Sequence, residues 1–310
     1  MRTKIAIFGA GNVGASLAQL IVQSKIADLT LVDILKDLAI GKALDLAQAK
    51  PVYGSDVKII AGSEPELIKG AELVVITAGA TRKPGMTREQ LLETNARICA
   101  QCAKAIKKYA PNSIVIVVSN PLDAMTWLCA RITGFDKSRV IGMAGVLDSA
   151  RLKLFLADAL GASVKDIQAM VLGGHGEQMV PVLSYSSWQG ERLEKLLSKS
   201  KLKAIIERTK NAGAEIVAKL GTSAYYSPSA SCLEMIKAIL FDEKRLLACS
   251  SWLKGEYGIK GIYLGVPIIL GKNGVEKVVA LKLNSWELRQ LKKSAETVSA
   301  LINQLKRIKL

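Results

Sequence analysis

The chain has 310 residues, half of them apolar, with 43 Lys+Arg against 27 Asp+Glu and a formal net charge of +16. That length exceeds what one hydrophobic core usually organises, so two domains sharing a cleft are expected, while apolar runs such as 113–118 (SIVIVV) and 264–270 (LGVPIIL) fall short of the roughly 20 residues needed to span a bilayer. The N-terminus shows neither a long hydrophobic region nor a small-residue cleavage site, which predicts a cytoplasmic address, and five dispersed cysteines fit reduced thiols better than a disulfide framework.

In chain order, residues 4–8 read as a strand, and Gly9-Ala10-Gly11-Asn12-Val13-Gly14 follows at once and opens a helix over 15–24. A GxGxxG pattern in that context is a dinucleotide-binding turn. Its glycines permit a tight turn, close approach of a pyrophosphate and close helix packing, and the helix N-terminus faces the phosphates. A second strand at 29–32 ends on Asp33, at the interval where a carboxylate accepts hydrogen bonds from the adenosine ribose. The same carboxylate would repel a 2′-phosphate, so NAD is expected rather than NADP. A helix at 38–48, strands at 57–60 and 73–77, a helix at 88–109, a strand at 113–118, a helix at 123–133 and a strand at 140–142 complete the alternation. The prediction is a Rossmann-type, doubly wound parallel sheet over residues 1–145.

The second half, 146–310, reads as a mixed α+β substrate domain. It has a helix over 148–160, a strand over 167–172, helices over 202–220 and 229–240, strands over 245–253, 262–270 and 275–280, and a closing helix from Ser285. The charge excess lies mainly here, with 25 basic against 14 acidic residues over 151–310 and 18 against 13 over 1–150. Solvated helix faces account for it. A basic field also concentrates anionic ligands, but no nucleic-acid motif accompanies it and no specific nucleic-acid partner is expected. Cys99 and Cys102 form a lone CxxC inside a helical pattern, which predicts packing rather than a metal site.

Four segments carry chemistry. Residues 77–88 (TAGATRKPGMTR) follow the fourth strand as a loop whose Arg82 and Arg88 invite an anion, and Pro84-Gly85 suit a closing lid. Asn120, in VSNPLD after the fifth strand, has an amide able to bridge cofactor and substrate hydroxyl; capping the next helix is its alternative use. Asp148 and Arg151 are three apart on one helix and share a face, and Arg151 can fork onto a carboxylate. His175, the only histidine, sits in GGHGEQMVP at a strand end among glycines, as a proton-transferring group able to work near neutral pH.

In order, GAGNVG, Asp33, TAGATRKPGMTR, VSNPLD, GVLDSAR and GGHGEQMVP resemble the lactate/malate dehydrogenase family over essentially the whole chain, particularly its lactate-dehydrogenase-like malate dehydrogenases. The resemblance implies that residues 9–14 and Asp33 hold NAD, with Asn95, Val118, Ser119 and Asn120 lining the nicotinamide side. It further implies that Arg82, Arg88, Asn120 and Arg151 bind substrate and that His175, oriented by Asp148, exchanges the proton. Lactate dehydrogenases of this family typically carry glutamine at the position of Arg82, so Arg82 points to a second substrate carboxylate and to malate. Lactate or another 2-hydroxy acid is the alternative substrate, and a non-catalytic NAD-binding protein a remote one. The resemblance also implies a homodimer or homotetramer. Glu177-Gln178 and residues 220–224 (LGTSA) depart from the usual pattern beside the histidine and at the far wall of the pocket.

Overall fold

The computed structural model describes residues 2–80 and 87–310, and the backbone alone of Arg88. In chain order, the first half contains β1 (Lys4–Phe8), α1 (Asn12–Ser24), β2 (Asp28–Val32), α2 (Lys36–Tyr53), β3 (Ile59–Gly62), β4 (Leu73–Ile76), α3 (Arg88–Tyr109), β5 (Ile114–Val117), α4 (Leu122–Thr133) and β6 (Val140–Gly142). Then come α5 (Gly145–Leu160), β7 (Ile167–Gln168), β8 (Val171–Gly173), β9 (Met179–Pro181), β10 (Ser187–Trp188), β11 (Glu191–Arg192), the single turn α6 (Leu193–Leu196), α7 (Lys199–Leu220), α8 (Tyr226–Leu240), β12 (Arg245–Lys254), β13 (Lys260–Gly271), β14 (Gly274–Val278) and α9 (Ser285–Leu305).

The six strands of the first half lie in the order β3-β2-β1-β4-β5-β6, all parallel, which is the doubly wound Rossmann arrangement. β4 and β5 read as unbroken apolar runs because helices cover both faces of the sheet and bury every residue. β12 then pairs antiparallel with β6, and the sheet continues through β13, β8 and β9. One sheet therefore runs through both halves, and α/β gives way to antiparallel α+β at the β6–β12 seam. A small β11-β10-β7 sheet stands apart.

α1 buries Gly14, Leu17, Ala18, Ile21 and Val22, the three-and-four spacing of a helix with one face on a sheet. α3 starts on a capping box in which the Thr87 hydroxyl accepts from the Gln90 amide and the Gln90 side chain accepts from the Thr87 amide. Asn284 and Glu287 start α9 in the same way. The second half has its own smaller core around Leu152, Leu156, Ile167, Met179, Leu193 and Ile205.

Two predicted strands differ in place. Residues 57–60 are two early: the amide of Lys58 is drawn onto the Asp28 carboxylate at 2.9 Å, and pairing begins with Ile59 opposite Leu29. Residues 167–172 form two short strands, since Ile167 and Gln168 pair with β10 whereas 171–173 pair with β13 and β9. The composition of residues 167–172 (IQAMVL) carries no mark of a change of sheet.

Candidate active site

The turn between β1 and α1 is set by two steric facts. Gly9 has φ +106°, and a Cβ on Gly14 would lie 1.8 Å from the Gly9 carbonyl oxygen, so α1 begins in direct contact with the strand it follows. A Cβ on Gly11 would instead meet nothing within 4 Å, which leaves room over the helix start. Asp33, at the end of β2, accepts from the amides of Ala10 (2.6 Å) and Leu35 (2.9 Å). Its carboxylate thus fastens the glycine turn, and with about four lone-pair sites on two oxygens it has acceptor capacity left.

Asn95, buried on α3, has its side-chain amide fully engaged. Its Oδ1 accepts from the Ala80 amide (2.7 Å), and its Nδ2 donates to the carbonyls of Ala80 (3.2 Å) and Asn120 (2.8 Å). It ties together the loops leaving β4 and β5, a clamp the residue type alone does not reveal. Ser119 adds a second tie, its hydroxyl donating to the Ala78 carbonyl at 2.6 Å. The helix after Asn120 is entered through Pro121, with no side-chain cap, so capping is not what Asn120 does there.

The catalytic candidates converge on the other wall. A Cβ at Gly145 would lie 2.6 Å from the Val171 carbonyl oxygen and from the Ala248 methyl, so the N-terminus of α5 is seated directly on β8 and β12. One turn on, Asp148 is buried and accepts from His175 Nδ1 (2.8 Å) and Arg151 Nη1 (3.3 Å). Burial alone would lower the His175 pKa. The charge and hydrogen bond of Asp148, with the charge of Asp123 behind them, outweigh both burial and the repulsion of Arg151 and hold it above its ordinary 6.5. Arg151 Nε is buried with no hydrogen-bond partner among the described residues.

A cleft of about 500 Å³ brings Val13, Asn95, Val118, Ser119, Asn120, Arg151 and His175 to common walls, with Glu177, Lys210, Ser223 and Ala224. Gly9, Gly11 and Asp33 lie outside these walls, at the carboxyl ends of β1 and β2. Arg82 and the rest of the predicted lid from 81 to 86 fall outside the described residues, as does the side chain of Arg88, whose backbone opens α3.

Three residues near the histidine escaped the sequence reading. Asp123 accepts from the His175 amide (3.2 Å) and from the Ser250 hydroxyl (2.6 Å), and the Ser294 hydroxyl accepts from the Gly174 amide (2.8 Å). These contacts bridge 52, 127 and 120 positions, so no spacing rule announces them. Asp123 lay inside VSNPLD, and its short polar side chain in an otherwise apolar first turn was the one available signal. Cys99 and Cys102 are both buried on α3, and no helix among the described residues is long and apolar enough to cross a membrane.

Comparison with known proteins matches residues 3–142 to the family described as lactate/malate dehydrogenase, NAD binding domain, and residues 145–308 to its alpha/beta C-terminal domain. The chain is 49% identical over 307 residues to malate dehydrogenase of Bacillus subtilis, covering 98% of each chain. It is 49% identical over 308 residues to malate dehydrogenase 1 of Anaeromyxobacter dehalogenans, covering 98% of this chain and 99% of that one. Among solved structures it is similar to Cryptosporidium parvum malate dehydrogenase, with a TM-score of 0.96, 40% identity and 99% coverage of both chains. A lactate dehydrogenase of the same organism, complexed with lactic acid and β-nicotinamide adenine dinucleotide, matches with a TM-score of 0.96, 38% identity and 99% coverage of both chains.

Proposed function

The chain belongs to the lactate/malate dehydrogenase family, and from that premise we propose that it is an NAD-dependent malate dehydrogenase interconverting (S)-malate and oxaloacetate. The observation that carries this reading is the linked set His175–Asp148–Arg151 on the wall of a cleft that also receives the ends of β4 and β5. The names of the relatives at 49% identity support malate over lactate.

Residues 9–14, Asp33, Asn95 and 118–120 would hold NAD. The residues fit it: Gly11 leaves open space at a helix N-terminus, where a pyrophosphate is favoured, and Asp33 retains acceptor sites for ribose hydroxyls while repelling a 2′-phosphate. When bound, NAD accepts hydride in malate oxidation and returns it in the reverse direction.

The remaining work belongs to the chain's own side chains. With Nδ1 committed to Asp148, His175 has Nε2 to take the malate hydroxyl proton, and returns it to oxaloacetate in reverse. Asp148 fixes the tautomer and stabilises the imidazolium. Arg151, with one amino group on Asp148 and Nε unpaired, binds the carboxylate beside the reacting carbon. Asn120 orients the hydroxyl, Arg88 polarises the carbonyl oxygen, and Arg82 pairs with the second carboxylate. Residues 1–145 would hold the cofactor and lend Arg82, Arg88 and Asn120 to the substrate, and residues 146–310 would supply His175, Asp148 and Arg151. A cytoplasmic homodimer or homotetramer is the proposed form, supported by the exposed apolar side chains Ile34, Leu35, Leu44 and Val52 around α2.

The test is NADH-linked reduction of oxaloacetate against pyruvate by the purified protein. We expect kcat/KM to favour oxaloacetate by more than about tenfold, because the Arg82 pair is worth roughly 1.5–3 kcal/mol per hydrogen bond. Equal or reversed efficiency contradicts the malate assignment.

A further inference from the structure

The backbone at His175 is gripped as firmly as its ring. Consecutive amides of one turn are taken by side chains from two helices: Gly174 N–H donates to Ser294 on α9, and His175 N–H donates to Asp123 on α4. Asp123 is itself buried, and its other carboxylate oxygen accepts from Ser250, buried on β12. Neutral acceptors would serve a turn equally well, and burying a carboxylate is costly unless its charge is used. Asp123 also sits in the first turn of α4, three residues after Asn120, so one rigid segment fixes both the substrate-facing amide and the histidine.

We propose that Asp123 is a second carboxylate serving His175, a positioning residue that anchors the histidine's main chain and sets a buried negative charge beside it. This rests on the reading of His175 as the proton-transferring group. Among the described residues, the charged groups that contact His175 or share its cleft are Asp148 and Arg151 from α5, Asp123 from α4, Glu177 from its own loop and Lys210 from α7, while α9 and β12 contribute the neutral Ser294 and Ser250. Burial pushes Asp123 up to about 6 against the hydrogen bonds of Ser250 and the His175 amide, so it is ionised at neutral pH, where its charge favours the imidazolium.

Because His175 is the only histidine, its ring can be titrated by NMR in ¹³C-histidine-labelled protein without assignment and without turnover. Asp123→Asn keeps an acceptor for the His175 amide and removes the charge, with the Ser250 hydroxyl turned to accept from the new amide N–H. Its midpoint is expected to fall by at least about half a unit relative to wild type, whereas Ser294→Ala should lower kcat by about tenfold with the midpoint unmoved. An unchanged midpoint in Asp123→Asn overturns the proposal. Should that variant fail to fold, Ser250→Ala removes the donor that favours ionised Asp123; a smaller fall in the same direction supports the proposal, and an unchanged midpoint overturns it. His175→Asn assayed in parallel separates the two ideas. Its near-normal turnover would defeat the catalytic reading while leaving the NMR result to judge Asp123.

Discussion

The glycine turn after β1 and the histidine turn after β8 serve one cleft, yet the first is set chiefly by backbone sterics and the second by side-chain acceptors. The first is shaped by backbone contact: Gly9 and Gly14 touch, Asp33 accepts from the Ala10 amide, and the hydroxyls of Thr77 and Ser229 donate to the carbonyls of Gly9 and Val13. The second is held by Asp148, Asp123 and Ser294, which lie 27, 52 and 120 positions away. Backbone contact at two glycines sets the cofactor turn, whereas the proton-transfer turn depends on side-chain acceptors from α4, α5 and α9. Substitutions should therefore fail differently in the two places, through binding in the first and through chemistry or pH dependence in the second.

The largest effect on cofactor binding is expected at the glycine turn. Gly14→Val would drive a side chain into the Gly9 carbonyl oxygen, where even a Cβ lies at 1.8 Å. Overpacking against backbone costs about 1–3 kcal/mol or more, so NADH binding, followed by its own fluorescence, should weaken by at least about tenfold to a hundredfold, with thermal stability also reduced. Unchanged binding would break the claim that helix contact shapes this turn. Asp148→Asn should lower kcat/KM by roughly a hundredfold through loss of the tautomer and of imidazolium stabilisation, while NADH binding stays intact. Weakened NADH binding in that variant would erase the contrast between the two turns. Arg82→Gln should reduce the oxaloacetate-to-pyruvate preference by about tenfold, and an unchanged ratio would show that Arg82 does not meet substrate.

The smallest effect is on stability. His175 has its folded pKa raised, so its stabilising contribution is fully present below 6.5 and is lost as pH rises through the higher folded value. Asp123, pushed up to about 6, disfavours folding progressively between its ordinary 3.8 and 6. Stability to urea should thus drift downward from pH 6.5 into the mildly alkaline range by at most about 1.4 kcal/mol per pH unit from the histidine. That component should vanish in His175→Asn, and an identical slope in both proteins would contradict the assigned direction.

The same contrast explains what was legible in the sequence. Parallel strands buried on both faces read as apolar runs, and the bounds 4–8, 88–109 and 140–142 coincide with β1, α3 and β6. The split of 167–172 between two sheets was not legible, because strand identity there is fixed by partners on β10 and β13 rather than by composition. Within the candidate site, Asp148 and Arg151 showed themselves through helical spacing, and the structure joins them as that spacing requires. Asn95 lines the cleft, and its amide groups also bond the backbone of 80 and 120, a clamp between two loops that its position in the sequence does not announce. Asp123, Ser250 and Ser294 act through contacts between distant segments, which only the packed sheet and helices bring about.

The account stands most directly on the proton-transfer role of His175. Steady-state reduction of oxaloacetate by His175→Asn, with NADH affinity measured alongside, should show a kcat/KM loss of about a thousandfold or more with NADH still bound at wild-type strength. Near-normal turnover in that variant would contradict it.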